Sequence, residues 1–174
     1  SPPDWGSLLQ AVHIGNIEMI KLLLERGADV NATEYTTPLL EAIQRNREVD
    51  KDIVKLLIQH GADVNDEAKL ETSPLDYALF LDNSYFTQIL LANGAEADIR
   101  DSSGETYLQS AARYGRTESA KLLLEAGANV NAKSDNGQTA LHVLLDIRSI
   151  NYERYKLSKD MLELLLTKGA EVNL

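Results

Sequence analysis

The side chains that could do chemistry in this 174-residue chain are few and scattered. Three histidines stand in unlike places: His13 near the end of one apolar run, His60 at the foot of another, and His142 inside Thr139-Ala140-Leu141-His142. No His-x-x-x-His pair or other ligand spacing joins them, and His13 and His60 read as surface residues. The chain has no cysteine, which removes thiolate zinc sites, disulfides and a cysteine nucleophile and fits a reducing compartment. No Gly-x-Ser-x-Gly turn, phosphate-cradling glycine loop or Gly-x-Gly-x-x-Gly is present. The 27 acidic residues outnumber 17 Lys and Arg, for a formal charge of −10. Carboxylates this plentiful read as a solvated exterior rather than a paired acid and base. The same balance disfavours nucleic acid and anionic membranes, which are held by Lys and Arg on phosphate. The expectation is therefore no enzyme, no metal and no cofactor.

The 44% of residues that are hydrophobic are enough apolar material for the core of one ordinary domain. No apolar run approaches the roughly 18 residues of a membrane span, and the opening "SPPDWGSLLQ" lacks a basic region followed by an apolar one. The chain reads as cytoplasmic. It has no initiator Met and stops directly after a repeat, which reads as a piece of something longer, and Leu162, Leu165 and Leu166 would leave an apolar end uncapped unless more chain follows.

The elements come from a repeat. "GADVN" occurs at 27–31 and 61–65, with "GAEAD" at 94–98, "GANVN" at 127–131 and "GAEVN" at 169–173. The glycines are spaced 34, 33, 33 and 42 residues apart, and a period near 33 is itself a fold signal. Before each stands an amphipathic run such as "IEMIKLLLER" or "ESAKLLLEA", with apolar residues at helical spacing and glycine placed for a left-handed stop. About 20 residues earlier lies a second start signal: "TTPLLEA" at 36–42, "TSPLDYA" at 72–78, "ETYLQSAA" at 105–112 and "QTALHVL" at 138–144. A Thr or Ser hydroxyl there can cap a first helical turn, where Pro38 and Pro74 lose nothing by lacking an N–H. Each unit is thus helix, turn, helix, followed by polar turn residues such as "RDSSG" at 100–104 that suit a hairpin-like loop.

These residues resemble the ankyrin repeat, with Thr-Pro-Leu-His-x-Ala at the first helix and Leu-Leu-Leu-x-x-Gly-Ala-Asp-Val-Asn after the second, from Asp4 to Leu174. The resemblance implies an all-α repeat solenoid with β-hairpin-like finger loops, one domain over 1–174, with repeats at about 4–33, 34–66, 67–100, 101–133 and 134–174. It further implies non-catalytic protein binding through the finger tips and the inner face of the first helices, and a structural, turn-tying role for His142. In eukaryotic members the Asn of Leu-x5-Asp/Glu-x-Asn resembles a substrate of asparaginyl hydroxylation; Asn31, Asn65 and Asn173 fit that pattern. The sequon at Asn31-Ala32-Thr33 reads as an accident of the repeat.

Departures from the pattern locate the candidate site. The first finger is two residues short, and "RNREVDKD" at 45–52 adds three, either reshaping a binding surface or marking drift in a solvated loop. The long last interval reflects an insertion at about 147–159, where Arg148, Arg154, Lys156 and Lys159 face one acid, Glu153. Tyr152 and Tyr155 share one side of a helix there, an aromatic-plus-Arg composition typical of interface hot spots, although a helix that merely covers the end of the array explains it as well. Repeat three has Asp82 for the Gly between helices, Glu71 for the turn Gly and Asp98 for the final Asn, and holds Tyr77, Phe80, Tyr85 and Phe86, four of ten aromatics. By the family register, Phe80, Leu81, Arg113, Tyr114 and Ile147 end first helices, and Leu70 lies on a finger. The apolar members at these positions suggest either a contiguous groove patch or packing between repeats. The partner-binding expectation is Leu70, Phe80, Leu81, Arg113, Tyr114 and Ile147, with Tyr152, Arg154 and Tyr155 as a second contact. The partner is a protein of unspecified identity, and the chain itself is expected to be a monomer. The alternative is the targeting or substrate-recruiting domain of a longer enzyme or of a secreted bacterial effector acting in a host cytosol.

Overall fold

Five copies of one helix terminator govern the backbone of the computed structural model, which describes residues 6–33, 35–66, 72–101, 104–146 and 152–172, the last with side chains from 159 onward. At Gly27, Gly61, Gly94, Gly127 and Gly169 φ lies between +83° and +97°. In each copy two N–H groups return to the last helical turn: Gly27 N–H donates to Leu24 O (3.0 Å) and Ala28 N–H to Leu23 O (2.9 Å), as Gly169 does to Leu166 O (3.0 Å) and Ala170 to Leu165 O (2.9 Å). This pairing satisfies carbonyls the helix leaves open. A Cβ on any of the five would meet nothing within 4 Å, so glycine is required by its φ rather than by crowding.

The starts are equally uniform. Thr37 Oγ1 accepts from Leu40 N–H (3.1 Å), Ser73 Oγ from Asp76 N–H (3.1 Å) and Thr106 Oγ1 from Gln109 N–H (3.3 Å). His142 has the expected structural role: its Nδ1 accepts from Thr139 N–H at 3.3 Å.

The helices fall into two compact units, Ser1–Ala95 and Glu96–Leu174. In the first, α1 (Ser7–Ile14), α3 (Pro38–Arg45) and α5 (Pro74–Phe80) pack in sequence, each paired with the helix after it: α2 (Ile17–Glu25), α4 (Asp50–Gln59) and α6 (Ser84–Ala92). Ile20, Ile43, Ile53, Leu57, Phe86 and Leu90 are fully buried there. In the second, α7 (Tyr107–Tyr114) packs on α8 (Thr117–Glu125) and α9 (Ala140–Leu145), and α10 (Tyr152–Thr167) packs on α8 and α9. Its core joins Leu108, Ala112, Ala120, Leu144, Met161 and Leu165. Leu165, expected at an uncapped end, is thus core, and Leu162 packs partly against it, while Leu166 is exposed.

Loops link successive repeats through one side chain. Asn31 Nδ2 donates to Gly61 O (3.1 Å) while its Oδ1 accepts from Asp63 N–H (2.9 Å), and Asn131 does the same with Gly169 O (3.1 Å) and Glu171 N–H (2.9 Å). Asn65 Nδ2 donates to Gly94 O (3.0 Å). At the third position along the chain Asp98 accepts from Asn129 N–H (3.1 Å) but, as a carboxylate, donates nothing to Gly127 O. The fingers are hairpin-like where described: Asp101 N–H donates to Glu105 O and Ser134 N–H to Gln138 O, both at 2.9 Å, with an antiparallel bridge between Arg100 and Thr106.

Candidate functional site

Aligning the caps Ser73 and Thr106 puts Thr72, Asp76, Tyr77 and Phe80 of repeat three in register with Glu105, Gln109, Ser110 and Arg113 of repeat four. The two repeats build this face from different chemistry.

In repeat four the face is closed by an internal ion pair. Both the Nε and an Nη of Arg113 donate to the Glu105 carboxylate, which also accepts from Ser110 Oγ (3.4 Å). Hydrogen bonding to Glu105 holds the Arg113 guanidinium above its ordinary pKa. Gln109 is fully buried, its Oε1 accepting from Thr106 N–H (2.7 Å) and its Nε2 donating to Ala132 O (3.1 Å) and to Gln138 O. Beyond this pair Tyr114 stands 65% exposed with the Arg116 guanidinium 5.2 Å from its ring centroid.

In repeat three the same face is hollow. Thr72, Asp76, Tyr77 and Phe80 line an open depression of about 220 Å³, with Phe80 71% exposed at the end of α5. Leu81 follows it half-buried, and Asp82 takes φ +52°, the left-handed conformation that Gly15 and Gly115 adopt between their helix pairs. The four aromatics of this repeat therefore separate. Phe86 is core, Tyr85 meets it edge-on with centroids 5.8 Å apart and has Lys51 and Lys55 near its ring, and Tyr77 and Phe80 line the depression.

Of the expected site residues, Phe80 and Leu81 belong to the first unit and Arg113 and Tyr114 to the second. Arg113 is engaged by Glu105 within its own repeat. Leu70 and Ile147 lie outside the described residues, as do the side chains of Tyr152, Arg154 and Tyr155; the backbone of 152–158 is the first part of α10. Asp76 was not singled out from sequence. The signal was there in the Asp at the position where the family carries His and this chain elsewhere has Gln109 and His142.

Two polar clusters in the first unit also escaped the sequence. His13, expected as a plain surface residue, is half-buried with Nδ1 2.7 Å from Glu41 Oε1, and Arg45 Nη1 lies 3.6 Å from the same oxygen. The "RNREVDKD" connection holds a brace. Asp50 is 0% exposed and accepts from Arg47 Nε (2.9 Å), Nη2 (2.7 Å) and backbone N–H (2.7 Å). The same guanidinium donates to Val12 O and His13 O (both 3.2 Å), capping the carbonyl end of α1 from the next repeat. That hydrogen bonding with Asp50 raises the Arg47 pKa.

Among the described residues there is no group of three or more His, Asp or Glu that could hold a metal, and no helix long and apolar enough to cross a membrane. The model of one family, ankyrin repeats, matches in three copies over residues 8–101 and 75–174. Among curated proteins the chain is 30% identical over 154 residues to an L-asparaginase of Dirofilaria immitis, covering 88% of this chain and 26% of that protein. It is 34% identical over 140 residues to a putative ankyrin repeat protein of fowlpox virus, covering 76% and 30%. With the Neurogenic locus Notch protein of Drosophila melanogaster it shares 50% identity over 54 residues, 30% of this chain and 2% of that one. The chain thus spans less than a third of the length of each of these relatives.

Proposed function

The chain belongs to the ankyrin-repeat family, general protein-interaction modules, and on that premise we propose that it is a non-catalytic scaffold that holds a protein partner against its first helices and fingers. The observation that carries this reading is the depression beside Phe80. A large ring 71% exposed at the end of a helix whose other apolar residues, Leu75, Ala78 and Leu79, are buried contributes contact area to a partner and little to the core. Tyr114, 65% exposed at the end of α7, is the corresponding feature of the second unit. Aromatic anchors on packed helices lose little entropy on binding, which suits them to hot spots.

The test is affinity capture from extract with the intact chain, with any captured protein then purified and titrated directly. The reading predicts a partner whose binding Phe80→Ala weakens by about tenfold or more, a loss of some 1.4 kcal/mol. Equal capture by wild type and variant would contradict it.

A second reading has an observation of its own. The alignment with the L-asparaginase covers nearly all of this chain and only 26% of that protein, so the same repeats occur beside other sequence. On this reading the repeats recruit a target or substrate for catalysis located elsewhere in a longer chain. The complete open reading frame decides it: a catalytic domain in frame supports recruitment, and its absence removes the reading.

A further inference from the structure

We propose that repeat one receives, against α2 and the loop after it, the closing loop and helix flank of a further unit of the same repeat, contributed by the same polypeptide ahead of Ser1, with an Asn of that loop bound to Gly27 and Asp29. This goes beyond the interaction reading and does not depend on it.

The template lies in the loops within each compact unit. Asn31 Nδ2 donates to Gly61 O while its Oδ1 accepts from Asp63 N–H, and Asn131 makes the same pair with Gly169 O and Glu171 N–H. A carbonyl and an N–H set two residues apart call for one side chain that both donates and accepts, which an amide does and a carboxylate does not. Repeat one presents the same two groups, Gly27 O and Asp29 N–H, and no side chain among the described residues meets either. They border an open hollow of about 430 Å³ whose walls include Leu8, Leu9, Leu23 and Ala28.

The helix beside the hollow agrees. Met19 stands eight residues before its stop glycine and is 44% exposed, whereas the matching Ile53, Phe86 and Met161 of repeats two, three and five are 0% exposed. Leu23, four before the glycine, is half-buried where Leu57, Leu90 and Leu165 are fully buried, and Leu22 is 57% exposed where Leu56, Ile89 and Leu164 are half-buried. Each of those three repeats follows a repeat of its own compact unit, whose helices pack against it. Repeat one is built to the same measure: from Gly6, the cap of α1, to Asn31 is 25 residues, as from Ser73 to Asp98 and from Thr106 to Asn131. A bare peptide loop could fill the hollow but would leave Met19 and Leu22 in water; a stacked unit covers both at once. Successive Asn-ladder residues, Asn31, Asn65, Asp98 and Asn131, lie 34, 33 and 33 residues apart, so the donor for Gly27 and Asp29 falls on the third or fourth residue upstream of Ser1.

The test begins with the reading frame immediately upstream of Ser1, where Gly-Ala-x-x-Asn is expected to end at that third or fourth residue. Amide hydrogen exchange at Asp29 is then followed by NMR in the 174-residue chain and in the chain extended through the upstream unit. The expected result is exchange at least about tenfold slower in the longer chain, returning to the rate of the shorter one when the upstream Asn is replaced by Ala. Should that variant fail to fold, Met19→Lys carries the test: it is expected to lower the urea midpoint of the longer chain and to leave that of the shorter one unchanged. An upstream frame without the string overturns the proposal, as does equal Asp29 exchange in the two chains or an equal effect of Met19→Lys on both. Protection of Asp29 in the 174-residue chain that rises with its concentration would identify a second copy as the occupant and overturn it too.

Discussion

Arg47 and Phe80 occupy opposite ends of what a single side chain does in this molecule. Arg47 is structural: it neutralises the buried Asp50 and caps α1, and its guanidinium lies 3.0 Å from where a Cβ on Gly15 would stand. Removing it leaves a buried carboxylate without its cation, so Arg47→Ala is expected to lower stability by about 3 kcal/mol, read from the urea midpoint. Phe80 is exposed, and Phe80→Ala is expected to change stability by less than about 0.5 kcal/mol in the same measurement. A loss near that of Arg47→Ala would make Phe80 a core residue. The sequence showed "RNREVDKD" as an insertion, but its purpose depends on carbonyls of the preceding repeat that linear spacing does not reveal. Phe80 was legible because a large apolar residue stands where a solvated helix end prefers a polar one. Arg113 was legible as a position, and its pairing was not, since its partner Glu105 lies before the helix begins, at the far side of two turns.

At the scale of the element, the helix stops and the loop ladder carry the regularity. Gly61 has φ +88° and open space around it, so Gly61→Ala is expected to cost about 1 kcal/mol, the strain of a left-handed alanine, with no crowding added. Asp98 is the one described rung of the Asn ladder that lacks a donor. Asp98→Asn keeps an oxygen for Asn129 N–H and adds an N–H for Gly127 O, with an expected gain of about 0.5–1 kcal/mol in thermal unfolding. A neutral or destabilising result would show that the rungs contribute little at this exposed edge. Helix pairs, the Thr and Ser caps of the first helices and the glycine stops were legible from sequence, because capping and left-handed turns are local demands that fix residue type; the caps Asn16 and Asn83 of second helices were not read. The substitution at Asp82 was legible as a departure; that the position keeps its left-handed backbone was not, since Asn46 and Asp82 adopt without glycine what Gly15 and Gly115 adopt with it.

At the scale of the whole molecule, a repeat of constant register fixes the family, because one helix pair cannot bury its own apolar face and each copy needs the same start and stop. That same constancy hides function: residues that recur explain stacking, and a site must be sought where copies differ. Repeat three differs most, and its Phe80 lies in the unit that carries most of the net negative charge. The most direct measurement is titration calorimetry of the captured partner against wild type, Phe80→Ala and, as a control on an exposed residue of α8, Lys121→Ala. The interaction account predicts at least about tenfold weaker binding for Phe80→Ala and wild-type affinity for Lys121→Ala. Wild-type affinity for Phe80→Ala with a loss for Lys121→Ala would place the working surface elsewhere and contradict it.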